Sequence, residues 1–268
     1  MSETNYVIIN SRFRANYSKS TSDFTFNLGE SLEVSEVAIK SVSMINAVYN
    51  VPANYNFMIV SNGAVDSVLT VPVGQYDITS LITAVELQLT SIYGGTNTIT
   101  LNSITKKLNF TTTTPLRYKR STLSPLAVIL GFGDNVEAQV AEYVPAFPAG
   151  SVDAPFLPSL EGENNYHIVS NTIGQGQGSL LKNNSKKPII LTIPCNVNFG
   201  EVINYEVNEI NLNKRHFARP INIQDIDIRI IDDAGEDIDL GNTQVEIVVQ
   251  IISPQIAPYS LSGNQMSI

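Results

Sequence analysis

Cysteine, histidine and tryptophan are nearly missing from this chain. Its 268 residues include one cysteine, two histidines and no tryptophan. The lone Cys195 excludes an internal disulfide framework and any CxxC metal motif. Chemistry that needs several His or Cys side chains lacks its parts. Charge is scarce too, at 15% of residues, and 16 basic against 25 acidic side chains give a net charge of −9. Proteins that hold bulk nucleic acid or an anionic membrane lean the other way. No apolar run approaches the ~20 residues that span a bilayer. The start lacks a basic region followed by an apolar one, so no secretory signal is read. These absences predict a soluble protein made in a reducing compartment. Hydrophobic residues reach 43%, enough to bury a core and to exclude global disorder.

What is there is mostly strand signal. Residues 5–10 form a short β-rich run. In residues 23–28, Phe24, Phe26 and Leu28 alternate with polar neighbours, the period-2 pattern of a half-buried strand. Residues 34–45 form a longer run. Further strands are predicted at 66–73, 97–101, 107–112, 165–171, 188–194, 202–210, 223–231 and 244–252. In the last two, Ile226, Ile228 and Ile230, then Val245, Ile247, Val249 and Ile251, fall on alternate positions. Asp77 reads as a helix N-cap, and Ile78, Leu81, Ile82, Val85 and Leu89 follow at helical spacing up to Gly94-Gly95. A second short helix is predicted at 123–130. The middle therefore reads as a mixed ββαββα unit. Residues 133–163, with four prolines and no period, read as a long exposed loop, and 174–187 as another. Residues 253–268 read as an extended arm. Many short strands with polar turns point to a mainly β sandwich or jelly roll.

Candidate chemistry is thin. The acidic run Asp225, Asp227, Asp232, Asp233, Glu236, Asp237 and Asp239 lacks the order of a calcium loop, and strand-side carboxylates at a solvent-facing turn account for it. Cys195 with His167 or His216 could form a Cys–His pair, but Cys195 sits at a strand end with no helix N-terminus to lower its pKa. Gly174, Gly176 and Gly178 look like a phosphate loop, yet a strand and not a helix follows them. Two small basic clusters occur, one at Arg12, Arg14, Tyr17 and Lys19, the other at Arg117, Lys119 and Arg120. With so few cations each, a solvated face or an acidic protein partner suits them better than nucleic acid. No catalytic constellation assembles, so no enzyme is expected. A β-rich body with long polar loops and end arms favours assembly over turnover.

Several segments, taken in order, carry a resemblance. They are residues 22–28 (Ser-Asp-Phe-Thr-Phe-Asn-Leu), 37–51 (Val-Ala-Ile-Lys-Ser-Val-Ser-Met-Ile-Asn-Ala-Val-Tyr-Asn-Val), 71–82 (Val-Pro-Val-Gly-Gln-Tyr-Asp-Ile-Thr-Ser-Leu-Ile), 126–132 (Leu-Ala-Val-Ile-Leu-Gly-Phe) and 226–238 (Ile-Asp-Ile-Arg-Ile-Ile-Asp-Asp-Ala-Gly-Glu-Asp-Ile). This series resembles the penton-type minor capsid proteins of virophages and Polinton-like viruses, in the adenovirus-related double jelly-roll capsid lineage. The resemblance implies a single jelly-roll β-sandwich over 1–54 and 161–252, interrupted by the mixed insertion domain over 55–160 and followed by the arm. It implies homopentamers that close the icosahedral five-fold vertices of a virion and contact the double jelly-roll major capsid protein. It implies no catalysis and no cofactor, and from the residues themselves no metal, no membrane span and no sequence-specific nucleic acid are expected. Arg12, Arg14, Tyr17 and Lys19 are the candidate protein-interface residues, as contacts of an arm that locks neighbours. The Arg-Gly-Asp receptor loop of some adenovirus penton bases has no counterpart in this sequence. The alternative is an attachment module that binds a glycan or protein receptor through the loops at 133–163 and 174–178.

Overall fold

The computed structural model describes residues 3–15, 20–113, 115–119, 124–132, 143–147, 150–160, 162, 164–174, 179–180, 186–208 and 212–254. In chain order its elements are β1 (Glu3–Asn10), β2 (Asp23–Ile45), β3 (Phe57–Ser61), β4 (Asp66–Thr70), α1 (Ile78–Tyr93), β5 (Asn97–Leu101), β6 (Leu108–Thr112), β7 (Leu116–Lys119), α2 (Pro125–Ile129), β8 (Tyr143–Phe147), β9 (Gly150–Asp153), β10 (Asn165–Val169), β11 (Ser179–Leu180), β12 (Lys186–Lys187), β13 (Ile189–Pro194), β14 (Val202–Glu206), β15 (Arg215–Ile231) and β16 (Val245–Ser253). The chain is mainly β, and the strand pairs are antiparallel. It divides into two compact units, Met1–Ala47 with Asn164–Ile268, and Val48–Glu163.

In the first unit the strands pair first with last. β1 pairs β16, the start of β2 pairs β15, the end of β2 pairs β14, and β10 pairs β13. Two more ladders, β16 with the end of β2 and β15 with β10, close this double hairpin on itself. The results are the spatial orders β1–β16–β2–β14 and β2–β15–β10–β13. A ladder rolled up in this way is jelly-roll-like, with β2 long enough to serve in both sequences of strands. Alternation explains why these residues sit where they do. Ile226, Ile228 and Ile230 of β15 and Val245, Ile247, Val249 and Ile251 of β16 are buried, together with Ile9, Phe24 and Met44. Each such side chain contributes ~1.5–3 kcal/mol relative to leaving it in water.

Two differences from the sequence reading concern β2 and β15. The runs at 23–28 and 34–45 are one 23-residue strand, which passes through Gly29 at φ +82°. The strand at 223–231 begins earlier, at Arg215, and runs through Pro220. Its register against β2 shifts between His216 and Ile221, so proline falls in the irregular stretch where no ladder bond is needed.

The second unit holds the sheets β4–β3–β7–β8 and β5–β6–β9 with both helices. The Asp77 carboxylate accepts from the Ser80 amide at 2.7 Å, and the Ser80 hydroxyl bonds back to the Asp77 amide, a reciprocal cap that starts α1. Leu81, Val85 and Leu89 bury one stripe of α1 among Val60, Leu69, Ile99, Leu108 and Phe110. Phe132 packs its ring against Phe110 and Tyr118, with centroids 5.0 and 5.1 Å apart. The order here is ββαβββαββ, and the long loop read at 133–163 contains two strands. Proline hid them. Pro145 lies in β8, an edge strand, where a missing N–H costs no ladder bond. Within the loop read at 174–187, β11 and β12 form a small hairpin.

Candidate protein interface

The proposed contact residues fall just after β1. A 3-10 turn, Ser11–Phe13, is capped by Asn10, whose side-chain oxygen accepts from the Arg12 amide at 3.0 Å. Arg12 is exposed. Arg14 is half-buried, and its guanidinium donates to the Ser11 carbonyl at 2.9 Å, which folds it back on the turn. Ser11 is fully buried, and its hydroxyl accepts from the Val245 amide at 3.0 Å, pinning the turn to the start of β16. Tyr17 and Lys19 lie outside the described residues. The structure thus brings Arg12 and Arg14 together on one turn, with only the first presented to solvent.

The most exposed apolar surface of this unit is beside them. Tyr6, Ile8 and Phe13 are 55%, 59% and 71% exposed. β1 is the end strand of its sheet, and β16 is its one partner among the described residues. A groove of about 660 Å³ runs along it, walled by Tyr6, Val7 and Ile8 on one side and by Phe26, Leu28 and Leu32 of β2 on the other. Glu3 and Glu30 supply its charge, and Ser253, the last residue of β16, closes one end. The sequence held a signal for this surface. In residues 6–9 both alternating sets, Tyr6/Ile8 and Val7/Ile9, are apolar, and a strand with solvent on one face has no use for the second set.

The other candidates are used internally. The Cys195 thiol faces the Tyr166 hydroxyl at 3.6 Å, His167 lies 2.9 Å from both Thr192 and Asp233, and His216 pairs with Glu36 at 3.2 Å. The structure pairs the thiol with neither imidazole. In the acidic run, Asp237 binds Arg229 at 2.6 Å, Asp232 accepts from the Glu236 amide at 2.8 Å, and Asp233 holds His167. Asp227 accepts from the Thr172 hydroxyl and amide, the Asn171 amide and the Ser170 hydroxyl at 2.6–3.1 Å. Burial pushes its carboxyl up, but these donors together outweigh burial and hold it below the usual carboxylate range. Gly174 donates to the Ser170 carbonyl at 2.9 Å and packs on Pro188 with no space for a Cβ, so it is a close-packing glycine. Gly176 and Gly178, like Arg120, lie outside the described residues. Lys119 pairs with Asp66 at 3.1 Å, and Arg117 lies against Gly63.

No protein-family model matches this sequence, and no curated protein does either. Among solved structures, the chain is similar to a mavirus penton protein at 12% identity, with a TM-score of 0.48 over 94% of this chain and 100% of that one. No described helix is long and apolar enough to cross a membrane.

Proposed function

We propose that this chain is a structural, non-enzymatic minor capsid protein of the penton type. In this reading the first unit is a single jelly roll, the second is its insertion domain, and homopentamers close the five-fold vertices of a virion. The observation that carries the reading is the strand order of the first unit. Three of the five segments that resemble pentons in sequence, 22–28, 37–51 and 226–238, overlap the β2 and β15 strands that build that order, and jelly rolls are a recurrent fold of viral capsid subunits. Fold alone does not fix function, since lectin domains and cupins share it. A five-fold ring needs two different edges of each subunit to meet. Among the described residues the β1–β16–β2–β14 order ends in two such edges, β1 and β14, and the β1 end carries exposed Tyr6, Ile8, Arg12 and Phe13. Arg12, Arg14, Tyr17 and Lys19 are proposed as contacts with the neighbouring subunit or the major capsid protein.

The test is native mass spectrometry of the purified chain over a concentration series. A species of five times 29.2 kDa supports the vertex reading. A trimer favours the receptor-attachment module instead. A monomer at all concentrations transfers the test to co-assembly with the major capsid protein, because a lattice can stabilise an oligomer that is dissociated in isolation. Alanine at Arg12, Arg14, Tyr17 and Lys19 is expected to weaken assembly, and unchanged assembly and incorporation refute their role.

A further inference from the structure

The connection between β3 and β4 holds the chain's one Asn-Gly dipeptide, Asn62-Gly63. Asparagine and glycine suit a tight turn, and Gly63 takes φ +91°, which costs a residue without a Cβ nothing. Both residues are exposed. The Asn62 side-chain oxygen accepts from the Ala64 and Val65 amides, each at 3.0 Å. The Gly63 amide donates to the Ser61 hydroxyl at 3.2 Å. Ser61, Gly63, Ala64 and Val65 line an open groove of about 550 Å³ with Asp66 and Arg117, so water reaches the turn.

We propose that Asn62 is a self-modification site, at which the folded turn promotes deamidation through a cyclic imide formed with the Gly63 nitrogen. Each part of the reaction is present. The Gly63 nitrogen is the nucleophile, and no side chain at residue 63 crowds its approach to Asn62 Cγ, whereas every other asparagine of the chain precedes a residue with a side chain. The Gly63 amide proton moves to the Ser61 hydroxyl, which gives its own proton to hydroxide from solvent. As the N–Cγ bond forms, negative charge gathers on the Asn62 side-chain oxygen, where two N–H donors already point. Donors placed in this way stabilise the oxyanion of acyl transfer. The Cγ–Nδ2 bond then breaks, and ammonia leaves with a proton from water, which restores the hydroxide. Water next adds at Cγ to give aspartate, or at the main-chain carbonyl carbon to give isoaspartate, and breaks that carbon's bond to nitrogen in either case. Both products carry one new negative charge. Arg117, whose guanidinium lies against Gly63, stands beside it, and a carboxylate accepts from the Ala64 and Val65 amides more strongly than an amide oxygen does. The proposal concerns the second unit and does not depend on the capsid reading.

Peptide mapping of the full-length chain by mass spectrometry, over time at mildly alkaline pH, tests it. Asn62 is expected to convert to aspartate and isoaspartate ahead of every other asparagine. The rate in the folded chain is expected to exceed that of the same chain unfolded in urea by about tenfold or more, short of the ~10²–10³ that one oxyanion donor supplies in a closed enzyme site because this turn is open to water. A rate in the folded chain equal to or below the rate in urea overturns the proposal, and so does an Asn62 that stays unmodified. Ser61→Ala removes the path of the amide proton, so it is expected to slow the folded chain about tenfold and to leave the rate in urea unchanged. No change in the folded chain, or equal slowing in both states, refutes the part assigned to Ser61.

Discussion

Replacing Asn46 with alanine removes a buried junction of the first unit, and its cost follows from the contacts. The Asn46 side-chain amide donates to the Val197 carbonyl at 3.0 Å, and its oxygen accepts from the Tyr166 hydroxyl at 2.8 Å. Its backbone bonds to Glu201 and Gly200, so one residue ties the end of β2 to β10 and to the connection between β13 and β14. Tyr166 is among the largest fully buried side chains, and its hydroxyl also meets the Cys195 sulfur at 3.6 Å, a weak partner. In Asn46→Ala the tyrosine hydroxyl loses its 2.8 Å acceptor inside the core. Removing one partner of a buried hydrogen bond costs about 1–3 kcal/mol, and loss of the second hydrogen bond adds about 1 kcal/mol, for a total of about 2–4 kcal/mol. In a unit of this size that lowers Tm by about 5–15 °C. Thermal unfolding followed by near-ultraviolet circular dichroism reads it. Tyr166→Phe removes the same hydrogen bond from its other side and takes the hydroxyl donor from the buried Asn46 oxygen, so the double variant loses less than the sum of the singles by about 1 kcal/mol or more. Additive losses, or a shift under 2 °C for Asn46→Ala, refute this reasoning.

Other consequences follow from single sites. Gly131 has φ +87°, and a Cβ there stands 2.5 Å from the Phe156 carbonyl oxygen, so Gly131→Ala destabilises the second unit by about 1–3 kcal/mol in urea unfolding. Because the Asp227 carboxyl titrates below its unfolded value of ~3.9, it stabilises the fold above that pH. Its contribution is lost as pH falls through the lowered value, and Asp227→Asn flattens that part of the acid limb in urea midpoints taken from pH 5 to pH 2. Burial pushes the Tyr118 hydroxyl up to about 12. In an ultraviolet titration it ionises after the exposed tyrosines, and stability falls as pH rises past ~10, where the unfolded tyrosine ionises. Coincident ionisation of all tyrosines contradicts its placement against Phe132.

Local chemistry was readable in the sequence wherever one residue decides a boundary. Asp77 and the stripe from Leu81 to Leu89 announce α1, and the isoleucines and valines of β15 and β16 announce their buried faces. Continuity was harder. Gly29 and the polar residues around it look like a turn, yet β2 passes through because β15 stays beside it on both sides of the irregularity. β8 and β9 carry proline or glycine and owe their existence to β7 and β6, partners that no local pattern names. The candidate interface was only half legible. Arg12 and Arg14 stand out by charge, whereas the groove depends on bringing residues 3–8, 26–32 and 253 together, contacts that span nearly the whole chain. The Asp227 cradle and the Asn46–Tyr166 junction are hidden for the same reason, because their partners lie 55 and 120 residues away.

The capsid reading is tested most directly by a cryo-electron microscopy reconstruction of particles assembled from this chain and a double jelly-roll major capsid protein. The reading predicts five copies of the first unit around each five-fold axis, with neighbours meeting through the β1 and β14 edges. Particles whose vertices are closed by another protein, or that carry this chain only as a peripheral attachment, contradict it.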